Sequence, residues 1–349
     1  MNYYIILLIV FFLITLSFNY MQPKHFIEKN KYYLIAIMIL LTLFLILRDT
    51  SVGIDTDNYR NIFDYCRKLD FIELWSFERH EIGFKYYTKI LSIFNSYYLY
   101  LSITSILSMI GAYFFIKDNS KNYFESLLIF IAFNFYGYYF GILRQVLALS
   151  FILYSIKYVK DRKLWKFLLF VFLAFLFHRT ALIFIPVYFL YNIKLNKKLL
   201  ICWGSLISVF LLFKKYILQI ALQYLITPGA LDGKAGNGYI MLIFLIGLSL
   251  VLYFYQDKLI KQDKNNQIFI NMIFVACLIQ TISTIYGNAY RLTLYYAFAI
   301  IPIIPNTILV IENKKIQIIL RVLMILSLSL YFAYMTFKLI NYVPYQFIF

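Results

Sequence analysis

The chain has 349 residues, 63% of them hydrophobic and only 14% charged, and 33 Lys+Arg against 16 Asp+Glu give a formal charge of +17. A soluble domain carries about 25% charged residues, so this chain has too little polar surface to face water and a soluble globule is excluded. Its lysines stand in small groups between apolar runs, which argues for membrane lipids as surroundings and against a nucleic-acid partner.

About 20 apolar residues span a bilayer, and shorter runs suffice at a tilt or inside a helical hairpin. The sequence predicts a single all-α, polytopic membrane domain over residues 1–349, with about 12 transmembrane helices or half-helices. The predicted spans are 3–19, 32–47, 98–116, 124–140, 142–157, 164–178, 180–192, 199–213, 239–255, 268–286, 292–311 and 317–338. The first has no basic residue before it and no small-residue cleavage site after it, so it reads as a retained helix.

Orientation follows from the breaks. Those holding Lys24, Lys29 and Lys31; Lys117 and Lys121; Lys157, Lys160, Arg162, Lys163 and Lys166; Lys194, Lys197 and Lys198; Lys258, Lys261 and Lys264; and Lys314 and Lys315 are assigned to the cytoplasm. The run from Phe167 to Asn192 lies between two such breaks, so it must cross and return, with a turn at His178-Arg179. A single helix would instead bury that arginine at mid-membrane, at a cost of about 2.5–3.5 kcal/mol. Similar outer turns are predicted at 135–145, carrying Arg144, and at 286–291, carrying Arg291. Arg321, near the cytoplasmic end of the last span, reads as an anchor.

The polar segment 48–97 holds eight of the 16 acidic residues beside seven Lys and Arg. It reads as a large extracytoplasmic loop with short helices, one of them over 59–65 and capped by Asp57. A second outer loop at 214–238, rich in glycine, is a candidate lid. Cys66, Cys202 and Cys277 lack the spacing of a disulfide or metal framework. P-loop, GxGxxG, HExxH, GxSxG and paired CxxC motifs are absent from the sequence.

Arginines gathered at one membrane face suit a lipid diphosphate, and nearby carboxylates or a histidine suit activation of a sugar hydroxyl. Each residue also has a plainer reading. Arginine at a helix end snorkels, His178 can hydrogen-bond a turn, and Asp55 and Asp57 can be turn or cap residues.

Five elements in order give these residues a pattern. Arg48-Asp49-Thr50-Ser51-Val52-Gly53-Ile54-Asp55-Thr56-Asp57-Asn58-Tyr59 resembles the R-x-x-x-VG-x-D-x-x-x-Y signature of EpsG-like proteins, a branch of the Wzy-type polysaccharide polymerases. Glu81-Ile82-Gly83-Phe84, Arg144-Gln145-Val146-Leu147-Ala148, Phe177-His178-Arg179-Thr180-Ala181-Leu182, and Arg291 with Tyr295 or Tyr296 resemble that family's later elements. Ile82 stands where the family often has proline. The resemblance covers about residues 45–300.

The resemblance implies a GT-C-like fold and an enzyme of the bacterial cytoplasmic membrane with its site on the extracytoplasmic face. It would transfer a growing glycan from undecaprenyl diphosphate to an incoming lipid-linked repeat unit, in O-antigen, capsule or exopolysaccharide biosynthesis. Arg144, Arg291 and Arg179 would bind the diphosphate. His178, Asp55 and Glu81 are the candidate catalytic groups, with the general base left open among them, and Arg48, Asp57 and Tyr59 would structure the loop. No metal, cofactor or nucleotide sugar is expected. The partners are the undecaprenyl-diphosphate-linked oligosaccharide, membrane lipids, and flippase and chain-length regulator proteins. A ligase-like transferase with another acceptor is the alternative enzyme. A flippase or transporter would instead place charges along a central path.

Overall fold

Long apolar stretches leave the backbone no water to bond with, so they close their hydrogen bonds within helices. The computed structural model describes residues 3–21, 30–76, 80–224, 238–339 and 344–349, and these are overwhelmingly helical. In chain order the helices are α1 (Tyr3–Met21), α2 (Lys31–Ile46), α3 (Thr56–Lys68), α4 (Glu73–Ser76), α5 (Ile82–Ser92), α6 (Tyr97–Asn119), α7 (Tyr123–Ala132) and α8 (Leu143–Lys160). There follow α9 (Leu164–Phe177), α10 (Val187–Leu190), α11 (Lys197–Tyr224), α12 (Gly238–Gln262), α13 (Asn266–Ser283), α14 (Tyr290–Ala297), α15 (Ile300–Leu309) and α16 (Lys314–Leu339).

Among the described residues, six helices are long and apolar enough to cross a membrane: α1, α6, α11, α12, α13 and α16. The α14 and α15 segments form a bent pair that would make a seventh, and α2, α7 and α9 are shorter apolar helices. The chain is a multi-pass membrane protein by length and composition. Polar side chains fix several helix starts. Asn30 Oδ1 accepts from the amides of Tyr32 and Tyr33, Ser96 Oγ from Leu99, and Asn122 Oδ1 from Glu125.

Four expectations change. The cap position of the first loop helix is Asp55 rather than Asp57, because the helix starts at Thr56, whose hydroxyl donates to the Gly53 carbonyl at 2.5 Å. Asp57 instead places its charge in the first turn, toward the positive end of the helix dipole. The span expected over 124–140 stops at Ala132, and the tyrosine-rich run Tyr136–Phe140 forms a 3-10 turn before α8. The span expected over 292–311 is two short helices bent by 51°. Pro302 cannot donate to a carbonyl one turn earlier, which lets the helix break at Phe298-Ala299. Finally, α11 continues through Tyr224, so residues 214–224 are helical. Residues 225–237, the rest of the expected lid, lie outside the described residues.

Chain packing divides the protein into two compact units. The first comprises Met1–Tyr154, Phe172–His178 and Asn313–Phe349, and the second Ser155–Val171 and Arg179–Glu312. In the first, α2 packs on α6, α3 on α5, and α7 on α16. An aromatic cluster that includes Tyr59, Phe63, Phe84, Tyr97, Tyr100 and Leu143 forms its core around the 48–97 segment. The chain end closes over the start of that segment. Arg48 bridges Phe347, and Tyr345 stacks on Phe44 with ring centroids 4.0 Å apart.

In the second unit α13 is the central helix, packed by α11, α12, α14 and α15. Two of its asparagines are tied to neighbouring segments: Asn306 donates to Asn266 at 2.8 Å, and Asn271 to the Ile193 carbonyl at 3.0 Å. The hairpin expected between residues 167 and 192 is present. α9 ends at Phe177, a 3-10 turn spans Arg179–Phe184, and the return brings Tyr188 back to Phe167 with ring centroids 5.4 Å apart. Arg162 closes the open end, donating to the Tyr188 carbonyl at 2.8 Å and lying over its ring.

Candidate active site

The site in the first unit is built around Glu81. This residue occupies the cap position of α5, in extended conformation, but its side chain makes no cap bond. The carboxylate turns elsewhere. Oε2 accepts from Arg144 Nη1 at 2.7 Å, and Oε1 lies 3.2 Å from His178 Nδ1. Three residues from three of the family-like elements therefore meet at one carboxylate, their side chains only 12–21% exposed. Burial acts to raise the Glu81 carboxyl, but the His178 hydrogen bond and the charges of Arg144 and His178 outweigh it and hold the group well below the usual carboxylate range.

The sequence places each group locally. α7 ends ahead of Asn134, which takes φ +64°, and the tyrosine- and glycine-rich run turns the chain through Tyr136–Phe140, so that α8 begins with Arg144 in its first turn. His178 follows the last residue of α9, its amide still bonded to the Ala174 carbonyl. Gly83 lets the two segments meet: a Cβ there would lie 2.7 Å from both the Cβ and the carbonyl oxygen of Leu176. Phe84, fully buried, supports the guanidinium of Arg144, whose carbon lies 5.8 Å from the ring centroid. Phe177 is held between Tyr87 and Phe151.

Tyr59, expected to structure the loop, is part of this site. Its hydroxyl feels the charge of Arg144. Burial raises its pKa, the Arg144 charge opposes that rise, and the Asp55 charge adds to it. Asp55 stands at the cap position of α3 and reaches Tyr59 only through its charge. Asp57 is exposed one residue into the helix. The Arg144 Nε–H is buried and has no hydrogen-bond partner among the described residues.

Arg48 structures the loop from within. It is 1% exposed and donates to the Phe140 carbonyl at 2.9 Å, with its guanidinium against the Phe140 ring. Gly53, at φ +139°, carries the chain through a turn where a Cβ would collide with that same Phe140 carbonyl. The VG element and Arg48 thus fix the segment's start to the end of the Tyr136–Phe140 turn, directly before Arg144.

Arg179 and Arg291 belong to the second unit. The segments carrying them are tied together by the two tyrosines of the late element. Tyr295 Oη lies 3.2 Å from Thr180 Oγ1, and Tyr296 donates to the Ile183 carbonyl at 2.5 Å. Sequence reasoning had placed a tyrosine there without a role. Its sequence signal was the i, i+4 and i, i+5 spacing from Arg291, which puts both tyrosines on the helix that Arg291 opens.

Sequence reasoning also missed the ionic partner of Arg321. This arginine is not merely an anchor: its Nε lies 3.2 Å from Oε1 of Glu125, and the glutamate is 2% exposed. A lone Glu in the first turn of α7, beside a capping asparagine, gave no indication of a partner in α16.

No curated protein and no solved structure matches the chain. The profile of the EpsG family matches residues 31–347, a range that includes Arg48, Tyr59, Glu81, Arg144, His178 and Arg291. With nearly its whole length matched, the chain belongs to the EpsG family, whose role is of the polysaccharide-polymerase type.

Proposed function

We propose that this protein extends a polysaccharide by transferring the growing glycan from undecaprenyl diphosphate to an incoming lipid-linked repeat unit at the outer face of the bacterial cytoplasmic membrane. The observation that carries the reading is the Glu81 carboxylate held between His178 and Arg144. A carboxylate on Nδ1 fixes the imidazole and leaves Nε2 to take a proton, the arrangement that suits a general base. Glu81 itself, kept ionised by Arg144 and by its hydrogen bond with His178, is a poor base and serves as the positioning residue.

In the transfer, the acceptor hydroxyl gives its proton to His178 Nε2 as its oxygen attacks the anomeric carbon of the donor glycan. The bond from that carbon to the diphosphate oxygen breaks, and the diphosphate leaves with the electron pair. Arg144, with unused donors beyond the one bound to Glu81, offsets the charge on the leaving group. Arg179 and Arg291 are further diphosphate contacts in this reading, supported by the tyrosines that tie their segments together. Arginine supplies the neutralisation, so the mechanism calls for neither a metal nor a nucleotide sugar. Flippase and chain-length regulator proteins would be its partners.

The test is reconstitution with a lipid-linked repeat unit in the presence of a chelator. The wild type is expected to make long polymer, whereas His178→Ala and Arg144→Ala insert normally but leave single repeat units on the carrier. Long polymer from both variants refutes the mechanism.

A further inference from the structure

In the first unit, residues 344–349 run back across the start of the 48–97 segment as a short strap. Their burial alternates, with Tyr345 buried and Phe347 half-buried while Gln346 and Ile348 are exposed, the period of a strand. The backbone pairs accordingly: the Asp49 amide donates to the Gln346 carbonyl at 2.8 Å and the Ile348 amide to the Leu47 carbonyl at 3.0 Å, on either side of Arg48. Tyr345 also donates its hydroxyl to the Phe44 carbonyl at 2.8 Å. We propose that this strap is a positioning element for Arg144, acting through Arg48 and the Phe140 carbonyl. Its part in catalysis rests on the glycan-transfer function proposed above.

Arg48 is the link. Beyond the Nη1 bond to the Phe140 carbonyl, its buried Nε and Nη2 have no hydrogen-bond partner among the described residues. A guanidinium buried with donors unpaired is a poor means of stabilising a fold, because well-packed hydrophobic side chains in place of buried charges are often neutral or better. It is a good means of fixing one carbonyl, since a charge-assisted bond kept from water is strong and directional. The carbonyl it holds is the last of the Tyr136–Phe140 turn. That turn and the start of α8 form one hydrogen-bonded piece: the Ile142 amide donates to the Tyr138 carbonyl at 3.1 Å and the Val146 amide to the Ile142 carbonyl at 3.0 Å. Arg144 is the second residue of α8.

The strap helps to keep Arg48 dry. Phe347 is its backbone partner, and Tyr345 lies against both Phe44 and Phe140. Once the strap lifts, water reaches the two unpaired donors and competes with Arg48 for the Phe140 carbonyl, which weakens that bond. Arg144 then keeps its helix but loses the fixed start from which it meets Glu81 at 2.7 Å. Small displacements there matter, because stabilising a leaving group depends on donors that are in place before the bond breaks.

The experiment compares the full chain in nanodiscs with full-length Ile348→Pro, Tyr345→Ala and Tyr345→Phe. Ile348→Pro removes the amide donated to Leu47, at an exposed position, and leaves every residue of the site in place. Hydrogen–deuterium exchange read by mass spectrometry should show residues 136–144 exchanging about tenfold faster in Ile348→Pro and Tyr345→Ala, with 105–116 in α6 unchanged. With a lipid-linked repeat unit as substrate, both variants should lower kcat about tenfold and keep KM within about twofold of the wild type. Tyr345→Phe keeps the ring and should retain about half of the wild-type rate or more.

Ile348→Pro and Tyr345→Ala break the strap at different atoms, so one decides the matter if the other fails to insert. Faster exchange over 47–52 with no change over 136–144 overturns the proposal. So does a rise that spreads equally to 105–116, the mark of a strap that merely stabilises the fold, or a raised KM with kcat unchanged. If the wild type makes no polymer while 136–144 still loosens in the variants, the glycan-transfer reading fails and the hold of the strap on the Arg144 segment stands.

Discussion

His178 Nδ1 meets Glu81 Oε1 at 3.2 Å across 97 residues of sequence. In the proposed mechanism the contact gives different tasks to two groups that both looked like bases in the sequence. Glu81→Gln keeps the size of the side chain but removes its charge, and is expected to lower the polymerisation rate by about a hundredfold, within the range of a general base's contribution. Glu81→Asp should retain part of the rate. Initial rates of polymer formation, measured across pH, check this: a purely structural Glu81 would lower the rate without changing the pH profile.

The same carboxylate makes stability depend on acid. Its folded pKa lies below the ordinary glutamate value of 4.5. Its contribution is therefore fully present above that value and is lost as pH falls toward the lower folded value. The melting temperature of the wild type in detergent should exceed that of Glu81→Gln by a constant amount near neutrality. The difference should narrow below pH 4.5.

Gly83→Ala should be among the more damaging small changes in the protein, costing about 1–3 kcal/mol. The added Cβ meets the Leu176 Cβ and the Leu176 backbone oxygen. Trimming the partner to Ala removes neither atom, so Leu176→Ala is expected not to rescue it. Thermal melting of the two single variants and the double variant decides the matter.

Sidedness can be read by thiol labelling. Cys66 and Cys277 are buried and Cys202 is exposed, so Cys202→Ser gives a quiet background. In that background a cysteine at Asp64, on α3, should react with an impermeant reagent added outside intact cells. One at Glu312, between α15 and α16, should react only after permeabilisation. The reverse pattern would place the Glu81 cluster on the cytoplasmic face.

The helices were legible because hydropathy is a local property: α1, α2, α6, α9 and α16 begin and end within three residues of the spans read from the sequence. The break inside 292–311 was legible in principle from Pro302, but the continuous apolar composition outweighed it. The residues of the site were legible too, since an ordered set of motifs carries them. Their division of labour was not. Whether a carboxylate is a base or a positioning group depends on what stands beside it, and Arg144 and His178 reach Glu81 only through the folded chain. The surroundings of Tyr59 and Gly83 were hidden for the same reason, as one stands near Arg144 and the other meets Leu176 only in the folded chain. Arg321 shows the limit most plainly: a basic residue near lysines resembles an anchor until its carboxylate partner is seen.

That partnership also bears on how the protein enters the membrane. Glu125 and Arg321 are expected to be inserted at different times, since the whole second unit lies between them in the sequence. Until α16 arrives, α7 carries a carboxylate that lipid cannot solvate, and a ten-residue helix with such a burden is held poorly by the bilayer on its own. The arrival of Arg321 completes the insertion of α7, making the ion pair a late step in biogenesis, and chains stalled before α16 are the ones that membrane quality-control proteases should remove.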